Sequence, residues 1–134
     1  MLNRIEELLT LNLSFAIETT LATRSFQVLI QKAQAKNYQV VLLFLALKTE
    51  ELAVHRVKIR VKEGGHHIPE PVIRRRFKAG LRNFFNLYLP AVDSWLFIDN
   101  SREKFQVVAK GNKLVKVVSK SQTWESLIKT YHEN

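Results

Sequence analysis

The chain has 134 residues, of which 46% are hydrophobic, and a formal net charge of +9. That length supports a single domain, 1–134, with one modest core. With no cysteine, disulfides and thiolate metal sites are excluded.

Leu2 to Leu11 has a short helical pattern, with Ile5, Leu8 and Leu9 on one side. Leu13 to Ile17 is a mostly apolar run ending at Glu18-Thr19-Thr20, and predicts a buried strand with polar groups at its carboxyl end. Thr23 is placed to cap a helix from about Arg24 to Lys36, with Phe26, Leu29, Ile30 and Ala33 inward. Asn37, which tolerates left-handed geometry, ends it. Gln39 to Leu47 is nearly continuous Val, Leu and Phe, the pattern of a central strand covered on both faces. Thr49 caps the next element. Val57, Ile59 and Val61 alternate with cations as in a strand, yet Leu52, Ala53, Val57 and Val61 fit a helix. The acidic start and basic end suit a helix dipole, so a helix is predicted.

Gly64-Gly65 then reads as a mobile hinge before a proline-started helix. Ile73, Phe77, Leu81, Phe84 and Tyr88 mark its apolar side, and it stops before Pro90. Trp95 to Ile98 predicts a third apolar strand ending at Asp99-Asn100-Ser101. Lys104 to Ala109 and Lys113 to Val118 predict a hairpin turning at Lys110-Gly111-Asn112. Thr123 caps a last helix carrying Trp124, Leu127, Ile128 and Tyr131. Strands alternating with helices imply an α/β fold, a parallel sheet with helices on both faces and a C-terminal β-hairpin. Ligands of such sheets sit at the carboxyl ends of strands, which selects Glu18-Thr19-Thr20 and Asp99-Asn100-Ser101.

The charge narrows the ligand. It is concentrated between Arg56 and Arg82, with a smaller basic set from Lys110 to Lys120, and favours a phosphate-bearing partner. Arg74, Arg75, Arg76, Lys78 and Arg82 lie on one predicted helix behind the Gly-Gly loop, with Arg75, Lys78 and Arg82 sharing a face. Such a device would close over an anion. Glu18, Thr19 and Thr20 suit a substrate hydroxyl, against the plainer reading of an exposed strand-end turn. Asp99-Asn100-Ser101 is on its own a strong turn former. His66 and His67 lack a third ligand, so no metal site is assigned; a loop histidine bonding phosphate or backbone is the better reading. The four glycines, Gly64, Gly65, Gly80 and Gly111, begin no G-x-x-x-x-G-K-S/T phosphate loop. The longest apolar run, Val40 to Leu47, is too short to span a bilayer. The N-terminus has no basic-then-apolar leader, so the cytoplasm is the expected location and no membrane partner is expected.

Three segments, FAIETTLATRSF (Phe15 to Phe26), GGHHIPEPVIRRRFKAGLRNF (Gly64 to Phe84) and DSWLFIDNS (Asp93 to Ser101), resemble in order and spacing the zeta-toxin-like P-loop kinases, in the branch described as predicted ABC-type ATPases. The likeness covers nearly the whole chain. It implies a nucleoside-kinase-like P-loop fold and ATP and Mg2+ as cofactors; the best-understood members phosphorylate UDP-N-acetylglucosamine. It implies a lid role for the Gly64–Gly65 loop and charge neutralisation at ATP phosphates by Arg74, Arg75, Arg76 and Arg82. It places Glu18 and Thr20 toward the phosphate acceptor, and Asp99 to Ser101 near the nucleotide base. His66 and Arg75 join them as nucleotide-binding candidates. Family members begin with a strand, a P-loop and its helix, then an acidic general base, all of which would precede Met1. The expectation is therefore an incomplete C-terminal portion from a truncated or split gene, silent alone. Its sheet would lack a central strand, leaving a free edge for a P-loop-bearing polypeptide or for a homo-oligomer. The alternatives are a non-catalytic or regulatory binding module and a basic nucleic-acid-binding protein using the Arg56–Arg82 surface.

Overall fold

The computed structural model describes residues 2–133. Helix α1 (Leu2–Thr10) buries Ile5 and Leu9 against Ala33 of α2 (Phe26–Ala35), forming a small satellite core with Phe15, Leu29 and Tyr38. Helix α2 starts two residues later than its sequence predicts. Ser25 precedes it with helical backbone angles and makes no side-chain cap; its hydroxyl lies 2.9 Å from that of Thr23. Asn37 ends the helix at φ 68°, in the left-handed region expected of it.

The run Leu13 to Ile17 is not a strand. Residues 13–20 form no ladder. Phe15 alone of the run packs on the satellite core, meeting Tyr38 edge-on at 6.1 Å, while Leu13 and Ile17 stay exposed; the Tyr38 hydroxyl donates to the Leu13 carbonyl at 2.9 Å. The run is apolar without being buried, and a tyrosine hydroxyl rather than a neighbouring strand holds its backbone.

Strands β1 (Val41–Ala46), β2 (Ser94–Asp99), β3 (Gln106–Asn112) and β4 (Lys116–Val118) form one sheet in that order. Only β1 and β2 are parallel; β2–β3 and β3–β4 are antiparallel. The sheet is therefore mixed, not the parallel sheet the alternation of elements suggests. β1 and β2 are clamped at both ends. Asp93 N–H donates to the Val40 carbonyl at 2.9 Å, and Asn100 N–H donates to the Ala46 carbonyl at 2.7 Å. A bulge between Phe97 and Ile98 leaves Val108 as the extra residue of β3, fully buried. The hairpin tip falls at residues 113–115, not at Lys110-Gly111-Asn112. The Asn112 side chain accepts from the N–H groups of Leu114 and Val115, both at 2.8 Å, and so ends β3 itself. Gly111 lies inside β3, where a Cβ would come within 2.9 Å of the Trp95 ring.

Helix α3 (Glu50–Lys62) resolves the strand-or-helix ambiguity in favour of helix, with the Thr49 hydroxyl accepting from Leu52 N–H at 3.1 Å. The glycine pair closes it. Gly64, at φ 98°, donates to Val61 and Gly65 donates to Arg60, a Schellman ending. In this structure the pair is a cap where the sequence suggests a hinge. Helix α4 (Glu70–Asn83) runs on into a π-helical turn, Phe84–Tyr88, which turns Phe84, Phe85 and Tyr88 all inward. Phe84 sits in the middle of the main core, against Phe44, Phe97, Trp95 and Trp124. Helix α5 (Ser121–Tyr131) completes that core by stacking Trp124 on Trp95 at 5.3 Å. No helix among the described residues is long and apolar enough to cross a membrane.

All of this core lies on one face of the sheet. β1 alternates, with Leu42, Phe44 and Ala46 turned toward the core and Val41, Leu43 and Leu45 exposed at 59%, 61% and 53%. Coverage on both faces, expected from its continuous apolar sequence, is not found among the described residues.

Candidate functional site

The carboxyl ends of β1 and β2 are joined by the turn Asp99-Asn100-Ser101. Asp99 is buried, and its Oδ1 accepts from Ser101 N–H at 2.9 Å. The Ser101 hydroxyl accepts from Lys48 N–H at 2.8 Å. From α3, Arg56 donates to the Asn100 carbonyl at 2.6 Å. The Asp99 and Ser101 side chains thus hold the turn, while Asn100 faces a cavity of about 390 Å3.

That cavity has an apolar floor from Phe44, Ala46 and Phe77. Around it stand Arg56 and Arg60 from α3, Arg76 from α4, and Thr19 and Thr20 from the irregular segment. Arg56 and Arg60 are one helical turn apart and so share a face. None of the three arginines pairs with a carboxylate among the described residues. The threonine hydroxyls accept from Leu21 N–H at 3.2 Å and Ala22 N–H at 3.3 Å. Their own O–H hydrogens are left free to donate to a ligand oxygen. Three guanidinium groups and two hydroxyl donors make the cavity a receptor for an anion with several oxygens, the requirement a phosphate ester meets.

Helix α4 and its π-turn hold the threonine segment in place at three points. The Cα of Gly80 lies so close to the segment that a Cβ there would come within 2.7 Å of the Thr20 carbonyl. Asn83 Nδ2 donates to the Leu21 carbonyl at 2.7 Å, and the Tyr88 hydroxyl donates to the Thr23 carbonyl at 2.6 Å. Burial pushes the Tyr88 phenol above its ordinary pKa, keeping it a donor. Between these points Leu21 is buried at φ 58°, a left-handed conformation costly for a branched side chain.

The structure brings Thr19, Thr20, Arg76 and Asn100 together and leaves the other candidates elsewhere. Arg74 is held by Glu51 at 3.1 Å and Glu70 at 3.3 Å, and these two hydrogen bonds raise its pKa further. Lys78 faces Glu50 at 3.6 Å. Arg75, Arg82, His66 and Glu18 are exposed and do not line the cavity. Asp99 lines a second cavity, of about 410 Å3, against α5. Arg56 and Arg60 were not singled out from sequence. The signal for them was their spacing of four once residues 50–62 are taken as a helix.

The family model described as Zeta toxin matches residues 3–119. Among curated proteins, an uncharacterized protein of Haemophilus influenzae (strain ATCC 51907 / DSM 11121 / KW20 / Rd) is 30% identical over 66 residues, covering 49% of this chain and 47% of that protein. The chain thus spans about half the length of the curated relative it matches. No solved structure matches.

Proposed function

This chain belongs to the zeta toxin family, and on that premise we propose that it is part of an ATP-dependent phosphotransferase of the sugar-nucleotide kinase type, working with a polypeptide that carries a P-loop. The observation that carries the reading is the set of three carboxylate-free arginines and two threonine hydroxyls around one cavity at the carboxyl ends of β1 and β2. Phosphoryl transfer develops negative charge over the transferred group, and its catalysis is mostly positioning and electrostatic stabilisation. Arg56, Arg60 and Arg76 supply fixed positive charge for a nucleotide phosphate. Thr19 and Thr20 orient an acceptor oxygen, with Asn100 beside them.

The cavity does not fit Mg2+ by itself. No carboxylate lines it, and the described residues contain no cluster of three or more His, Cys, Asp or Glu. Nor does the lining contain a general base for a hydroxyl nucleophile. No step is therefore assigned to a metal or to proton abstraction, and the chain alone is silent. A cytoplasmic location goes with this reading, since ATP and sugar nucleotides are cytoplasmic.

The alternative of a basic nucleic-acid-binding protein needs aromatic faces among the cations for base stacking. Of the large rings near the cationic helices, Phe84 and Phe85 are buried in the core, and Phe77, half-buried, packs against it at the floor of the cavity rather than standing on the outer helix surface. A phosphotransfer assay with labelled ATP, Mg2+ and UDP-N-acetylglucosamine tests the proposal. The chain alone should give background only, and turnover should appear when a P-loop-bearing partner is added. Substantial turnover by the chain alone contradicts the division of labour.

A further inference from the structure

Arg76, Gly80 and Asn83 stand at i, i+4 and i+7 on α4, one stripe along a single helix face. Arg76 lines the arginine cavity. Gly80 leaves the gap that admits the Thr20 carbonyl. Asn83, the last residue of the helix, reaches the chain just beyond. Its Nδ2 donates to the Leu21 carbonyl at 2.7 Å and lies 3.4 Å from the Thr23 carbonyl. Both neighbours are acceptors, so the amide is fixed with its NH2 group toward them.

Leu21 is the residue on which this hold acts. The other non-glycine residues with positive φ among the described residues are Asn12 and Asn37, a type that tolerates it; a bulky side chain does not. Leu21 therefore needs support from outside its own backbone. Its side chain is buried in the main core, and Asn83 takes its carbonyl. Its N–H donates in turn to the Thr19 hydroxyl at 3.2 Å, and the next N–H, of Ala22, to the Thr20 hydroxyl at 3.3 Å. The left-handed turn thus sets two consecutive N–H groups on two consecutive hydroxyls, and turns each hydroxyl hydrogen away from the backbone.

We infer that Asn83 is a positioning residue of the phosphate site. By holding the Leu21 peptide in its left-handed form, it presents the Thr19 and Thr20 hydroxyls to the anion whose charge Arg76 meets two turns earlier on the same helix. One rigid element then sets the spacing between cation and hydroxyl donors. The role of Asn83 rests on the phosphate-site reading above.

Asn86 supplies a matched comparison three residues on. Its Nδ2 donates to the Arg82 and Tyr131 carbonyls, both at 2.8 Å, and ties α5 to the π-turn without touching the threonine segment. Calorimetric titration of ATP into the intact wild-type chain, Asn83→Ala and Asn86→Ala, with amide NMR of Leu21 in each, tests the assignment. A strong Overhauser contact between the N–H and the Cα–H of Leu21 marks its positive φ. Both variants should melt earlier than wild type. Only Asn83→Ala should lose the Leu21 contact, and only it should bind ATP more weakly, by about 2- to 10-fold. A Leu21 that stays left-handed in Asn83→Ala overturns the assignment. So does an ATP affinity that is unchanged, or that falls equally in the two variants. Asn83→Asp keeps the shape and removes the donor, so it should lose the Leu21 contact as well, and retention overturns the assignment. It is read by NMR alone, because its charge by itself weakens ATP binding. Wild type that binds no ATP would overturn the phosphate-site reading, while the Leu21 spectra still decide what Asn83 holds.

Discussion

Gly80→Ala tests how the threonine segment is held. Two effects oppose each other. Alanine in a helix interior is favoured over glycine by about 1 kcal/mol. Against that, the new methyl would lie 2.7 Å from the Thr20 carbonyl oxygen, a backbone atom that cannot rotate away. The segment must withdraw by several tenths of an ångström, and overpacking of that kind costs about 1–3 kcal/mol. Withdrawal also pulls on the Asn83 bond to Leu21 and the Tyr88 bond to Thr23. The net expectation is a loss of up to about 2 kcal/mol, a fall in Tm of up to roughly 8 °C for a chain of this size. ATP affinity should fall with it, by about 2- to 10-fold for each hydroxyl contact displaced. Differential scanning calorimetry and isothermal titration read the two effects separately. A Tm that rises by the full helix-propensity gain, with ATP affinity unchanged, would refute the close approach of Thr20 to α4.

Asp93 gives a pH prediction. The hydrogen bond from Val40 N–H at 2.7 Å, helped by the Gln34 amide, holds its carboxyl below the ordinary aspartate pKa. A lowered folded pKa means the stabilisation is complete above the unfolded value and is lost as pH falls through the folded one. Melting between pH 5 and pH 2 should therefore show a component that Asp93→Asn removes; identical profiles would show that the carboxylate is not what ties β1 to β2. Arg74→Ala should leave ATP binding unchanged, because its guanidinium is taken up by Glu51 and Glu70; a loss matching that of Arg76→Ala would show that those pairs open. Gly64→Ala, at φ 98°, should lower stability by about 1 kcal/mol through the end of α3; an unchanged melt would mean that the loop is already loose there.

Much of the fold is legible in particular residues. The Thr49 cap and the acidic-to-basic gradient mark α3, and the spacing of Ile73, Phe77, Leu81, Phe84 and Tyr88 marks α4 and its π-turn. What could not be read was partnership. Leu13 to Ile17 and Val41 to Ala46 are both apolar runs, but one forms no ladder and touches the satellite core through Phe15 alone, and the other keeps one bare face. Neither fact is local to its own residues. The site was half legible for a similar reason. Arg74, Arg75 and Arg76 stand together in sequence, yet successive helical positions are turned by about 100°. A cavity on one side of α4 can receive only one of the three, and it receives Arg76. The glycine pair was open in another way, since a mobile hinge and a helix cap ask for the same residue, and the structure shows the cap.

The most direct test of the arginine-lined cavity is a calorimetric titration of ATP into the wild-type chain, Arg76→Ala and Arg75→Ala, at low and at physiological salt. The two arginines are neighbours in sequence and equal in charge, and only Arg76 lines the cavity. Saturable binding of one ATP per chain is predicted. Loss of one charge-assisted contact should weaken it by about 10- to 100-fold in Arg76→Ala, with Arg75→Ala close to wild type. No saturable binding, or equal losses in the two variants, would show that the positive charge acts as a diffuse field and that the cavity is not a phosphate site.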